Sequence, residues 1–87
     1  MPHFVTRLRV QDYPQWRANW EKYQEARQAA GIRDAQVLRH REEPNEVVLL
    51  FEFGDHEQGR RWADSEVVRE AHRRGGVVEA TPYFPEP

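Results

Sequence analysis

The sequence predicts an α+β fold, a four-stranded antiparallel sheet with two helical regions packed on one face. Three observations predict it. Glu46-Val47-Val48-Leu49-Leu50-Phe51-Glu52-Phe53 is the most apolar run, and its Val and Phe content suits a pleated strand that Gly54 and Asp55 stop. The hydrophobic patterns run strand–helix–strand, twice over. The chain has only 87 residues, enough to cover one face of such a sheet but not two. Yet both faces of the run are apolar, because Val47, Leu49, Phe51 and Phe53 alternate with Val48 and Leu50. A second copy of the chain is therefore expected over the face that the helices leave open.

The elements follow in order. His3 to Val10 alternates, with Phe4, Thr6, Leu8 and Val10 toward the helices and Arg7 and Arg9 on the opposite side. Asp12 is a suitable N-cap and Pro14 suits a first helical turn, so a helix is expected to run to about Ala30 and end at Gly31. Its inner stripe is Tyr13, Trp16, Trp20, Tyr23, Arg27 and Ala30, at spacings of three and four. Ala35 to Arg41 reads as an edge strand, because Val37 and Leu38 are its only large apolar residues. Glu43-Pro44-Asn45-Glu46 is a turn sequence, so strands two and three form a hairpin.

Asp55 can cap a short helix from His56 to Ala63. Asp64 or Ser65 can cap a second, Glu66 to Arg74, with Val67, Val68, Ala71 and His72 expected on its inner side and Gly75-Gly76 ending it. Val77 to Phe84 is strand four, and Pro82 places it at an edge or ends its pairing. Right-handed crossovers then give the strand order 4-1-3-2 of a ferredoxin-like split β-α-β-β-α-β fold, in a single domain over residues 1–87.

Composition narrows the function. Charged residues make up 32% of the chain with a net charge of −2, and both signs are interspersed. A nucleic-acid or anionic-membrane surface needs a basic excess on one face, so neither partner is expected. No apolar run approaches the roughly 20 residues that span a bilayer. The first residues lead straight into a strand pattern, so no signal peptide is expected. The absence of cysteine fits a reducing compartment, and a cytoplasmic location is expected. Trp and Tyr on the long helix either pack as core or wall a cavity between helix and sheet. No paired His motif or cysteine cluster suggests a metal.

Tyr13-x-x-Trp16-x-x-x-Trp20, Arg27-x-x-x-Gly31, Pro44-Asn45-Glu46-Val47, Trp62-x-x-Ser65 and Gly76-Val77 resemble small proteins of the dimeric α+β barrel superfamily. The likeness covers about residues 3–84. It points to the antibiotic-biosynthesis-monooxygenase-like group and its cyclase-like relatives. The resemblance implies a homodimer whose sheets pack face to face. It also implies a ligand cavity between each sheet and its own helices. For function it implies a small enzyme that oxygenates or cyclises a small hydrophobic or aromatic molecule without an organic cofactor.

On that resemblance Trp16, Trp20 and Trp62 are expected to hold the ligand, with Thr6 and Phe51 on the sheet beneath. His72 would be a base, since its ordinary pKa lies near neutrality. Tyr23 and Arg27 join it as candidate catalytic residues, with the Arg27 cation orienting an anionic or enolate oxygen. The alternative for Arg27 is an ion pair with Glu or a stem lying over Tyr23. The superfamily's haem-degrading branch offers another function. Its Trp and haem-ligating His lie about ten residues apart, as Trp62 and His72 do, with Thr6 where that branch has Asn. His72 would then be an iron ligand. A non-catalytic binding module is the remaining alternative. Glu52 and Glu79 are expected in a charge network with Arg7 or Arg9 on the open sheet face.

Overall fold

The structure, a computed structural model, describes residues 2–86. Its elements are β1 (His3–Val10), α1 (Tyr13–Glu21), α2 (Gln24–Ala29), β2 (Ile32–Arg39), β3 (Glu46–Phe53), α3 (His56–Ala63), α4 (Glu66–Gly75) and β4 (Val77–Tyr83). The strands form one antiparallel sheet in the order β2-β3-β1-β4, as the ferredoxin-like pattern requires. Among the described residues, no helix is long and apolar enough to cross a membrane.

Register separates the two faces. Phe4, Thr6 and Leu8 pair with Phe51, Leu49 and Val47, and all six are buried on the helix side. Ala80 and Pro82 of β4 extend that face beside Leu8 and Thr6. The other face carries Val5, Val48 and Leu50, each only half-buried, with Leu38 46% and Tyr83 58% exposed. Charges frame this apolar centre. Arg7 bonds Glu46 at 2.7 Å and Glu79 at 3.5 Å, while His3 approaches Glu52 at 3.4 Å at the far end of the same face. Glu79 thus meets Arg7 as expected, whereas Glu52 pairs with His3, which lies directly across from it in the β1–β3 register.

The caps are local and match the sequence. Asp12 accepts from the Gln15 N–H at 3.1 Å, Asp55 from Gln58 at 2.9 Å and Ser65 from Val68 at 3.3 Å. The Glu46 N–H closes the hairpin turn on the Glu43 carbonyl at 3.3 Å. Gly31 and Gly76 follow α2 and α4 at φ of 90° and 70°, a region costly for residues with a Cβ.

Four expectations need correction. The long helix is two. Lys22 and Tyr23 interrupt it, with Tyr23 at φ −104° and ψ 12°. The Trp20 carbonyl accepts from the Tyr23 N–H at 3.2 Å and from Arg27 Nη1 at 3.0 Å, where an uninterrupted helix would use the Gln24 N–H. A side chain thus satisfies a carbonyl that the break releases. Strand β2 begins earlier, at Ile32, because Ile32 pairs with Phe53 and is buried. Val67 is 40% exposed; α4 presents Val68, not Val67, to the core cluster. Phe84 leaves the β4 ladder but stacks on Phe4 at 4.8 Å.

Candidate functional site

A cavity of about 230 Å³ lies between the helix face of the sheet and the helices. Its floor is sheet: Thr6 and Phe51 lie there, flanked by Leu8 and Leu49. Helix α1 contributes Trp16 and Trp20, the α1–α2 break contributes Tyr23, and α2 contributes Arg27. The remaining wall is Trp62 from α3 and His72 from α4. All eight residues singled out in the sequence therefore border one space, drawn from six elements and the α1–α2 break.

The aromatic walls are mutually braced. Trp16 and Trp20 lie 5.5 Å apart between ring centroids, Trp20 and Phe51 6.0 Å, and Phe51 stacks on Phe4 at 4.6 Å. Such a chain fixes ring orientation, which a preformed apolar site requires. Trp16 is 3% exposed and belongs to the core, whereas Trp20 is only partly buried at its edge. The stripe thus serves as packing at Trp16 and as cavity wall at Trp20.

The polar groups are few. Arg27 is 7% exposed and its guanidinium lies 3.7 Å over the Trp20 ring. Burial pushes its pKa down from the ordinary arginine value, while the field of Glu21 acts the other way. The expected ion pair with Glu is not found among the described residues, and the guanidinium stacks on Trp20.

Burial also lowers the His72 pKa below its ordinary value, because an imidazolium loses hydration there. His72 is therefore neutral at pH 7 and has a nitrogen free to accept a proton. The other histidines stand elsewhere. His3 meets Glu52, His40 Nδ1 accepts from the Glu42 and Glu43 N–H groups, and His56 lies edge-on to Phe53.

Asn19 also lines the cavity, and the sequence reading missed it. Its Nδ2 donates to the Ala71 carbonyl at 3.0 Å, tying α1 to α4 one residue before His72. Its position three residues after Trp16 placed it on the inner face, but an amide amid aromatics gave no period signal.

The cavity within its walls is small for haem. Pockets that take drug-sized ligands run to roughly 300–1,000 Å³, and a tetrapyrrole needs more room than about 230 Å³. Trp62 and His72 do share the cavity, with buried Phe51, Trp16 and Leu8 also lining it. No group of three or more His, Cys, Asp or Glu side chains that could hold a metal ion is found among the described residues.

A four-stranded antiparallel sheet with its helices on one face, and an aromatic cavity between the layers, defines a ferredoxin-like α+β protein. The chain matches the antibiotic biosynthesis monooxygenase family over residues 11–74, and it belongs to that family. No curated protein is similar enough to match it. Solved structures share its fold. SnoaB, a cofactor-independent oxygenase from Streptomyces nogalater, is 19% identical with a TM-score of 0.70, over 98% of this chain and 92% of that one. A protein from Bordetella bronchiseptica, provisionally named an antibiotic biosynthesis monooxygenase, is 12% identical with a TM-score of 0.76, over 100% and 98% of the two chains. One from Caulobacter crescentus, named in the same way, is 12% identical with a TM-score of 0.76, over 98% and 87%.

Proposed function

We propose that this protein is a single-domain, cofactor-independent oxygenase that acts on a small aromatic molecule. The observation that carries the reading is the meeting of a neutral imidazole and a buried guanidinium in one aromatic-walled cavity. Family membership supports it, as does the oxygenase activity of SnoaB, a protein of the same fold. In this reading Trp16, Trp20 and Trp62 hold a flat ring over Thr6 and Phe51. His72 takes the proton of a phenolic hydroxyl. Arg27 stabilises the oxyanion that forms, and Tyr23 hydrogen-bonds the substrate.

The electron-rich phenolate then gives one electron to dioxygen, and the resulting radical pair combines at a ring carbon as a peroxide. Loss of water from that carbon leaves a quinone. One oxygen atom enters the product and the other leaves as water, and His72 returns its proton to the departing oxygen. The protein supplies position, a base and a cation, while the substrate itself is the reductant.

The enzyme works as a homodimer in this reading. Val5, Val48, Leu50, Leu38 and Tyr83 form an apolar centre framed by charges, and a second copy would cover it. A cytoplasmic location suits a chain without cysteine.

The test is oxygen uptake with a panel of phenols and naphthols, using ¹⁸O₂ to follow the label. Incorporation of one labelled atom is expected, and His72→Gln should lower kcat by about 10²–10⁴-fold. Ring closure of an enolisable substrate without oxygen uptake would replace this reading with a cyclase. Full activity in His72→Gln would remove His72 as the base.

A further inference from the structure

Arg27 is a buried cation without an acid. Eight ion pairs occur among the described residues, and Arg27 is in none of them. Glu21 sends a favourable field toward it but is itself in an ion pair with Arg17 at 2.9 Å. Of the guanidinium's several N–H donors, Nη1 is used on the Trp20 carbonyl. A guanidinium does not shed its proton at working pH, so its buried charge must find a partner by other means.

The cavity that Arg27 borders holds no Asp or Glu among its lining residues. Burial disfavours the charged form of His72, which also lines it. The space thus has one fixed positive charge and no negative one. Arg27 and Trp20 also border a neighbouring groove with Glu21, Gln24, Gln28, Arg33 and Asp34, so the acids nearest the cation line that polar groove and not the apolar cavity. A ligand could keep its ring among the tryptophans and its charged end at Arg27.

Size narrows the ring system. An apolar cavity of roughly 150 Å³ accepts benzene. The present one, about 230 Å³, adds room for a second fused ring within its walls.

We propose that the cavity receives a one- or two-ring aromatic compound bearing a single anionic oxygen group, an aryl carboxylate or ionised phenol, which Arg27 binds. This rests on reading the cavity as a ligand site, but it requires no turnover. The planar fork of Arg27 suits a carboxylate in two-point contact, and its stacking on Trp20 holds the fork in place.

The test is calorimetric titration of the intact protein with 2-naphthoate, with 2-naphthamide as its uncharged counterpart, and with 2-anthracenecarboxylate. Wild type should bind the naphthoate at least about tenfold more tightly than the amide. Arg27→Met should equalise the two, and Arg27→Lys should retain a preference for the anion. The three-ring acid should bind at least about tenfold more weakly than the naphthoate. Equal affinity for acid and amide in wild type would overturn the proposal. So would no binding of naphthoate at millimolar concentration, a preference that survives in Arg27→Met, or tight binding of the three-ring acid. The wild-type comparison decides the matter even if Arg27→Met does not fold. Anion preference without oxygen uptake on any phenol would refute the oxygenase reading alone. Oxygen uptake without anion preference would refute this inference alone.

Discussion

Replacing Trp20 by alanine should cost less stability than replacing Trp16, although both lie on the same helical stripe. Trp16 is 3% exposed and sits within the core cluster. Its removal forfeits an almost wholly buried ring and widens the cavity it borders, so a loss of about 3–5 kcal/mol is expected. Trp20 borders the same cavity but is only partly buried, so its removal takes less ring surface from the core. What it forfeits is the ring contact with Trp16 at 5.5 Å, that with Phe51 at 6.0 Å and the guanidinium stacked at 3.7 Å. An aromatic pair contributes about 0.5–1.5 kcal/mol beyond area burial, and a cation–π contact about 0.5–2 kcal/mol. These contacts come to about 1.5–5 kcal/mol at full strength, and the partial exposure of the Trp20 ring puts the expected loss for Trp20→Ala in the lower half of that range. The assay is urea unfolding at one fixed protein concentration, because subunit association would shift the midpoint with concentration. Midpoints in the order wild type, Trp20→Ala, Trp16→Ala are expected, with unchanged slope. A Trp20→Ala loss equal to or above that of Trp16→Ala would refute the assignment of Trp20 to a cavity wall.

Three further outcomes are expected. His72 binds a proton less readily in the folded chain than in the unfolded one, so stability should fall as pH drops through and below about 6.5, its ordinary value; in His72→Leu that slope should shrink, and an unchanged slope in urea titrations across pH 7 to 5 would contradict the burial of His72. Leu50→Lys places a charge at the apolar centre of the open sheet face and should give monomers in sedimentation velocity while leaving the helix-side core intact; an unaltered dimer, or a wild-type monomer at micromolar concentration, would reject that face as the interface. Gly59→Ala gains about 1 kcal/mol in helix propensity, but the added Cβ would stand 2.7 Å from Cζ of fully buried Phe53; overpacking of about 1–3 kcal/mol should prevail, and a thermal melt showing stabilisation would mean that the Phe53 ring yields freely.

The sequence by itself determined what neighbouring residues decide. Alternation within β1 and β3 assigned their faces, because a strand's side chains alternate with period two. Asp12, Asp55 and Ser65 cap helices through bonds reaching three residues along the chain. The hairpin at Pro44-Asn45 and the edge positions of β2 and β4 were legible for the same reason. So was the stripe that brings Trp16, Trp20, Tyr23 and Arg27 to one side, since spacing of three and four is itself a local property.

What only the tertiary structure decided depends on contacts between distant segments. Whether the stripe was core or cavity turned on how α1 sits against α4, where Asn19 reaches the Ala71 carbonyl. The break at Tyr23 was hidden because no proline or glycine marks it. It is stabilised by Arg27, whose side chain takes the Trp20 carbonyl. The environment of His72 could not be read from α4, because burial is imposed by the walls around it. The isolation of the Arg27 charge likewise emerged only once Glu21 was seen to be engaged by Arg17. Hydrogen bonds and burial of this kind are shared among segments far apart in the chain, and no periodicity within one of them records the partner.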